Sequence, residues 1–200
     1  LVAAQAYGAD SVGFEINPYA ALASRVKTAA PFVDLASLRE CIREYQEHMR
    51  AFEGEQSFAK CEQARAVRAT APAGFHTRIP FFSDEVLSRV LATREYIINL
   101  PKSSNRDFFR VAFGAVMVKF SNYSYEPSLA SRPGAGKALI ESAPVADIMT
   151  AKLAEMCDDI AVAQSRIQEM TSCPRATVWE RSFFTAGKCM DGESVDFVVT

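Results

Sequence analysis

The spacing of apolar residues in the middle of the chain constrains the fold more than any other feature. Leu35, Leu38, Ile42, Tyr45, Met49 and Phe52 recur at alternating intervals of three and four, the stripe of an amphipathic helix with one face turned to a core. The same period returns in Met149, Leu153, Met156, Ile160, Ala163, Ile167 and Met170, opened by Pro144 and stopped by Pro174. Between these stripes, Ser83 or Asp84 can cap a helix to about Asn99, ended by Pro101. Ser104-Asn105 can cap another to about Ser121. In that helix Phe108, Phe109, Val111, Phe113, Val116, Met117, Val118 and Phe120 leave almost no polar face, which predicts burial on most sides. Gly54 and the charged stretch to Arg68 can prolong the first helix, and Thr70-Ala71-Pro72-Ala73-Gly74 reads as a break. A loop rich in Ser, Pro and Gly is expected from Asn122 to Lys137.

The ends of the chain read differently. Leu1 to Tyr7 predicts a short helix closed by Gly8 in the left-handed region. Ser11 to Ile16 predicts a strand, and Asn17-Pro18 starts a helix to about Thr28, with Pro where a missing N–H costs nothing. At the other end Ala176 to Trp179 and Ser194 to Thr200 predict strands separated by a turn at Asp191-Gly192. The expected fold class is α/β, one sheet interrupted by a large all-helical insertion. The boundaries are 1–30 and 174–200 for the sheet-bearing domain and 31–173 for the insertion.

Composition narrows the function classes. With 49% hydrophobic and 23% charged residues over 200 positions, the chain has enough apolar surface for a real core, and disorder is not expected. The longest apolar run, Val111 to Val118, contains Gly114 and falls well short of the roughly 20 residues a spanning helix needs, so no membrane partner is expected. The start, Leu1-Val2-Ala3-Ala4, has neither Met nor a signal-peptide pattern, which predicts that the chain begins inside a longer sequence. Five cysteines, an odd number with no C-x-x-C pair, predict free thiols in a reducing cytoplasm and neither a zinc site nor a disulfide framework. A net charge of −2 means that any nucleic-acid contact depends on a local patch.

Such a patch exists in sequence. From 102 to 137, Lys102, Arg106, Arg110, Lys119, Arg132 and Lys137 stand against Asp107 and Glu126, with Tyr123 and Tyr125 interleaved. This excess can grip a phosphate backbone, or it is simply a solvated face with two packed tyrosines. Within it, Ser131-Arg132-Pro133-Gly134-Ala135-Gly136-Lys137 is similar in outline to a phosphate-binding loop. That loop needs Gly where Ser131 stands and a hydroxyl where Ala138 stands, so the backbone cradle and the magnesium ligand are both lost.

Gly13-Phe14-Glu15-Ile16-Asn17-Pro18 places a carboxylate at the end of a strand, where open α/β sheets bind ligands and where an acid can accept from both hydroxyls of a ribose. Read alone, it is an exposed Glu at a strand end. With the preceding Leu1-Val2-Ala3-Ala4 and G-A-D-S-V, and with the following helix ending in Arg25-Val26-Lys27-Thr28, this stretch resembles the segment after the glycine-rich motif of S-adenosylmethionine-dependent DNA amino-methyltransferases. These enzymes form the adenine-N6 and cytosine-N4 group. Ser194 to Thr200, S-V-D-F-V-V-T, resembles the strand that leads into the family's catalytic Ser/Asp/Asn-Pro-Pro-Tyr motif. The middle, F-F-S-D-E-V-L, then R-D-F-F-R-V-A-F and S-N-Y-S-Y, resembles a helical insertion of one bacterial branch.

The resemblance implies a Rossmann-like sheet whose first strand is not in this chain, S-adenosylmethionine as cofactor with no metal, and DNA as partner, with RNA as the alternative. It also implies cofactor contacts at Glu15, Ile16, Asn17 and Ser182, and nucleic-acid contacts at Lys119, Arg132 and Lys137. No catalytic residue falls in this chain, because Thr200 precedes the catalytic motif, so the fragment itself is expected to be inactive. The strands around Phe14 and Phe197 should be separated by a gap or pair unusually. One departure stands out: where the family has Gly-Asp-Ser or Gly-Asp-Ala after its third strand, beside the cofactor adenine, this chain has Glu180-Arg181-Ser182. Trp179 next to it can stack on a ring, although a lone Trp is more often core. Methylation at cytosine carbon 5 is rejected, since its Pro-Cys nucleophile would have to be read from the reversed Cys173-Pro174. A non-catalytic helical interaction module is the reading from a different class.

Overall fold

Helix α1 (Val2–Ala6) stops where Gly8 takes a positive φ of 76°, the conformation that glycine adopts without a Cβ penalty. The computed structural model describes residues 1–59, 78–101, 103–124, 130–170 and 174–199. The helix expected to prolong through Gly54 does so as far as Ala59; its continuation from residue 60 to Arg68, the break at Thr70 to Gly74, and Lys102, Tyr125, Glu126, Cys61, Cys173 and Thr200 lie outside the described residues. After α1 come β1 (Ser11–Phe14), α2 (Pro18–Ala29), α3 (Leu35–Ala59), α4 (Asp84–Asn99), α5 (Ser104–Val116), β2 (Tyr123–Ser124), β3 (Ala130–Ser131), α6 (Val145–Gln168) and β4 (Ala176–Trp179). The protein is mixed α/β, mostly helical, with little sheet. Among the described residues no helix is long and apolar enough to cross a membrane.

The chain divides into two units, residues 1–32 with 161–200, and residues 33–160. In the first, β1 and β4 form a parallel pair in the register Ser11 with Ala176 through Phe14 with Trp179. Hydrogen bonds from Ser11 N to Arg175 O (2.8 Å) and from Glu15 N to Trp179 O (2.9 Å) extend the ladder at both ends, and the Asp10 carboxylate accepts from Arg175 N at 2.6 Å. Helix α2 buries Ala21, Leu22 and Val26. Its C-terminal turn is tied to α1, where the buried Gln5 side chain donates to Thr28 O at 3.0 Å.

The second unit is helical because its stripes converge. Leu38, Tyr45 and Met49 of α3, Val86 and Val90 of α4, Phe109 and Val116 of α5, and Met149, Leu153 and Ile160 of α6 are all buried. Burial of a side chain of this size stabilises by roughly 1.5–3 kcal/mol, which is why helices of ordinary propensity hold here. Tyr45 sits among Tyr96 and Phe109, with ring centroids 5.3 and 5.8 Å away. Its hydroxyl shares a 2.9 Å hydrogen bond with Thr93 Oγ1.

Several expectations are corrected. Helix α5 ends at Val116, and a 3-10 turn, Met117–Phe120, completes the segment. Arg110, Ala115 and Lys119 are exposed, so burial covers one face and not most sides. Its N-cap is Ser103, without a side-chain cap bond. Asn105 is drawn off to α3, donating to Ser37 Oγ at 2.9 Å. Part of the segment expected as a loop forms the antiparallel pair of β2 and β3, secured by the buried Asn122, which donates to Pro80 O and accepts from Ile140 N.

The largest correction concerns Ser194 to Thr200. Residues 194–199 form no strand and are all exposed, Phe197 at 83% and Val199 at 87%. An alternating sequence becomes a strand only when a neighbour's N–H and C=O groups meet its own, and among the described residues β1 and β4 pair only with each other. Phe14 thus lies beside Trp179, with no ladder to Phe197.

Candidate functional site at the edge of the parallel pair

Because β1 and β4 run parallel and in register, their carboxyl ends coincide. Glu15 follows one strand and Glu180-Arg181-Ser182 follows the other. Glu15 is half-buried, and one of its carboxylate oxygens accepts from Asn17 N at 2.8 Å. Asn17 turns its own Oδ1 to Tyr19 N and Ala20 N at 2.9 and 3.2 Å and so caps α2, with Pro18 at the first helical position. The implied cofactor contacts therefore divide: Glu15 is a carboxylate held in place, Asn17 is a helix cap, and Ile16 is 73% exposed.

On the facing turn, Ser182 Oγ accepts from Phe184 N at 3.3 Å and starts the 3-10 helix Phe183–Lys188. Glu180 is engaged by Arg25 of α2 at 3.0 Å, 155 positions apart in sequence. Both side chains are about two-fifths exposed, so the pair fixes geometry more than it stabilises. Arg181 lies on Trp179, its guanidinium carbon 4.9 Å from the ring centroid, and Nη1 contacts Cys189 Sγ at 2.9 Å. Phe183 meets Phe14 edge-on at 5.8 Å. Sequence reasoning missed the Arg25–Glu180 pair and the Arg181–Trp179 stack, since neither carries a signal beyond the presence of a charge. Elsewhere on this unit, an open depression of about 550 Å³ is lined by Ala3, Ala6, Tyr7, Arg166, Glu169 and Met170. None of the implied cofactor residues borders it.

Lys119, Arg132 and Lys137 belong to the other unit. Lys119 and Lys137 are exposed. Arg132 is folded onto its own loop, with Nε donating to Ala138 O at 2.7 Å. The N–H groups of Gly134, Ala135, Gly136 and Lys137 are satisfied inside the loop, which leaves no cradle for a phosphate. Lys119 has an acidic neighbour in Glu155, whose carboxyl is held below its ordinary range by hydrogen bond and charge from Lys152 and, more weakly, by Lys119. Tyr123 is packed, stacked on Phe81 at 5.2 Å and donating to Ile79 O. Among the described residues Cys41, Cys157 and Cys189 are free, and no three His, Cys, Asp or Glu side chains come together to hold a metal. Comparison with protein-family models, curated proteins and solved structures finds no match to this chain.

Proposed function

We propose that this chain is part of an S-adenosylmethionine-dependent DNA methyltransferase that modifies the exocyclic amino group of adenine or cytosine, and that its parallel pair belongs to a Rossmann-like sheet. The observation that carries the reading is the parallel register of β1 with β4. It brings the acid-bearing segment and the Glu180-Arg181-Ser182 turn, far apart in sequence, to one carboxyl edge. In a doubly wound sheet the second and third strands are neighbours and ligands bind at that edge; β1 and β4 occupy those places in the resemblance.

The residues present fit the ribose of the cofactor. A carboxylate offers about four acceptor positions, and the bond from Asn17 N leaves room on Glu15 for two ribose hydroxyls. When bound, S-adenosylmethionine supplies a methyl group made electrophilic by its sulfonium. The work of this chain is binding and orientation: Glu15 accepts from the ribose, Asn17 fixes the backbone beside it, and the Arg25–Glu180 pair holds the opposite turn. The groups that polarise the target amine belong, on this reading, to sequence beyond Thr200.

Sequencing, ligand-binding and methyl-transfer measurements test the proposal. Reading the coding sequence outward should place a strand with a glycine-rich turn before Leu1 and Ser/Asp/Asn-Pro-Pro-Tyr after Thr200. The full-length protein should bind S-adenosylhomocysteine and transfer labelled methyl to DNA. Glu15→Ala should weaken that binding at least tenfold by calorimetry, and unchanged binding would remove Glu15 from the site. Stop codons or unrelated sequence on both sides would remove the methyltransferase reading, and transfer to RNA but not DNA would replace the substrate.

A further inference from the structure

We propose that the open depression between α1 and the end of α6 is a self-association surface, and that its occupant is the same depression on a second copy of this chain. The inference goes beyond the cofactor reading and does not depend on it, since neither Glu15 nor the 180–182 turn borders this surface. Helix α1 has two unlike faces. Gln5 is buried and bonded to Thr28 O, while Val2, Ala3, Ala6 and Tyr7 follow the helical period around the other side. Of these, Val2 is exposed and Tyr7 is 90% exposed. Ala3, Ala6 and Tyr7 line the depression of about 550 Å³ together with Arg166, Glu169 and Met170 from the last turn of α6 and the residues after it. Val162, also exposed, lies one turn before Arg166 on the same face of α6.

Charge and shape select the occupant. Arg166 and Glu169 are both exposed, and among the described residues neither has an ion pair or a side-chain hydrogen bond. An acidic partner would oppose Glu169, a basic one would oppose Arg166, and an apolar one would bury both charges unpaired, at a cost. A second copy related by a two-fold axis satisfies both. In such an isologous contact, setting Arg166 against the partner's Glu169 also sets Glu169 against the partner's Arg166. The shape is self-complementary as well, because each copy carries a projecting ring in Tyr7 and, beside the small side chains of Ala3 and Ala6, a hollow that can take one. An aromatic ring with a polar tip is a common interface anchor, its body buried and its hydroxyl at the wet rim.

The test is sedimentation velocity of the 200-residue chain from about 1 to about 300 μM, a span suited to a transient interface. Charge reversals at these two exposed positions leave the fold intact. The native chain should pass from monomer to dimer across the series. Arg166→Glu and Glu169→Arg each put like charges at both two-fold contacts and should weaken the dimer at least tenfold. The double variant, Arg166→Glu with Glu169→Arg, restores opposite charges at both contacts and should associate within about threefold of the native chain. An equimolar mixture of the two single variants should form heterodimers for the same reason. Tyr7→Ser, which leaves the charges in place, should weaken the dimer at least tenfold. A chain that stays monomeric throughout, a dimer that neither single reversal weakens, or a double variant no tighter than the single ones would each overturn the inference; the first of these would leave the face to a partner of other chemistry.

Discussion

At the level of single residues, the most demanding position is the hydroxyl of Tyr45. It is fully buried, and a buried hydroxyl without a partner costs about 1–3 kcal/mol. Thr93 Oγ1 meets it at 2.9 Å and lies 3.7 Å from Met49 Sδ. Thr93→Val should therefore destabilise the chain by about 1–3 kcal/mol in urea unfolding, whereas Tyr45→Phe with Thr93→Val, which removes both partners, should recover most of that loss. An additive double mutant would mean that the pair is not coupled. Burial also pushes the Tyr45 phenol up to about 12, against its usual 10, partly offset by the Thr93 bond. Burial raises Tyr96 as well. The folded chain thus keeps a phenolic proton that the unfolded chain has begun to release, so stability is complete below about pH 10 and falls as pH rises toward 12. For Tyr45 the loss is roughly 2–3 kcal/mol at 1.36 kcal/mol per unit. The paired substitution should flatten the fall without abolishing it, because Tyr96 remains. None of this was legible in the sequence, where Tyr45 is simply one apolar tooth of a stripe.

At the level of elements, legibility follows the range of the interaction that decides each one. Helix period, proline stops and the Asn17-Pro18 start are local, and α2, α3, α4 and α6 form where those signals place them. Elements decided by a distant partner depart from what their local pattern implies. Asn105 looks like a cap and instead bonds to Ser37, 68 positions away. Ser194 to Thr200 has the alternation of a strand and no neighbour among the described residues. Glu15 and the 180–182 turn are both marked by the resemblance, but the register that brings them to one edge is a long-range fact of β1 and β4. Asn17 separates a structural role from a ligand role. Its side chain accepts from two N–H groups of α2, so Asn17→Ala should cost about 1 kcal/mol, while Asn17→Asp keeps the cap. If Asn17 acts only as a cap, Asn17→Asp should bind S-adenosylhomocysteine within about twofold of the native protein. A tenfold loss with stability retained would show a direct ligand contact.

For the whole molecule, a net charge of −2 means that the DNA affinity proposed above would depend on a few exposed cations. The loop structure ranks them: Lys137 is exposed and Lys119 is exposed beside Glu155, while Arg132 is bound to its own loop at Ala138 O. If these lysines touch phosphates, Lys137→Gln and Lys119→Gln should each lower the slope of log affinity against log salt by about one, weakening all DNA sequences alike; an unchanged slope for both would remove this face from the interface. The exposed tail poses the complementary question. Val195, Phe197, Val198 and Val199 are 47 to 87% exposed, an apolar run left in water, whereas Leu38, Tyr45, Met49, Met149, Leu153 and Ile160 of the helical stripes are buried. On the methyltransferase reading, a strand from outside these 200 residues lies between β1 and the tail and supplies the hydrogen bonds that make 194–199 a strand. Hydrogen exchange separates this from an intrinsically loose end. In the 200-residue chain the amides of Val195 to Val199 should exchange at unprotected rates. In the full-length protein they should slow by at least a hundredfold, together with those amides of β1 that do not already bond to β4. If the tail stayed unprotected while β1 gained protection, the added strand would be real and the tail's place beside it would be wrong.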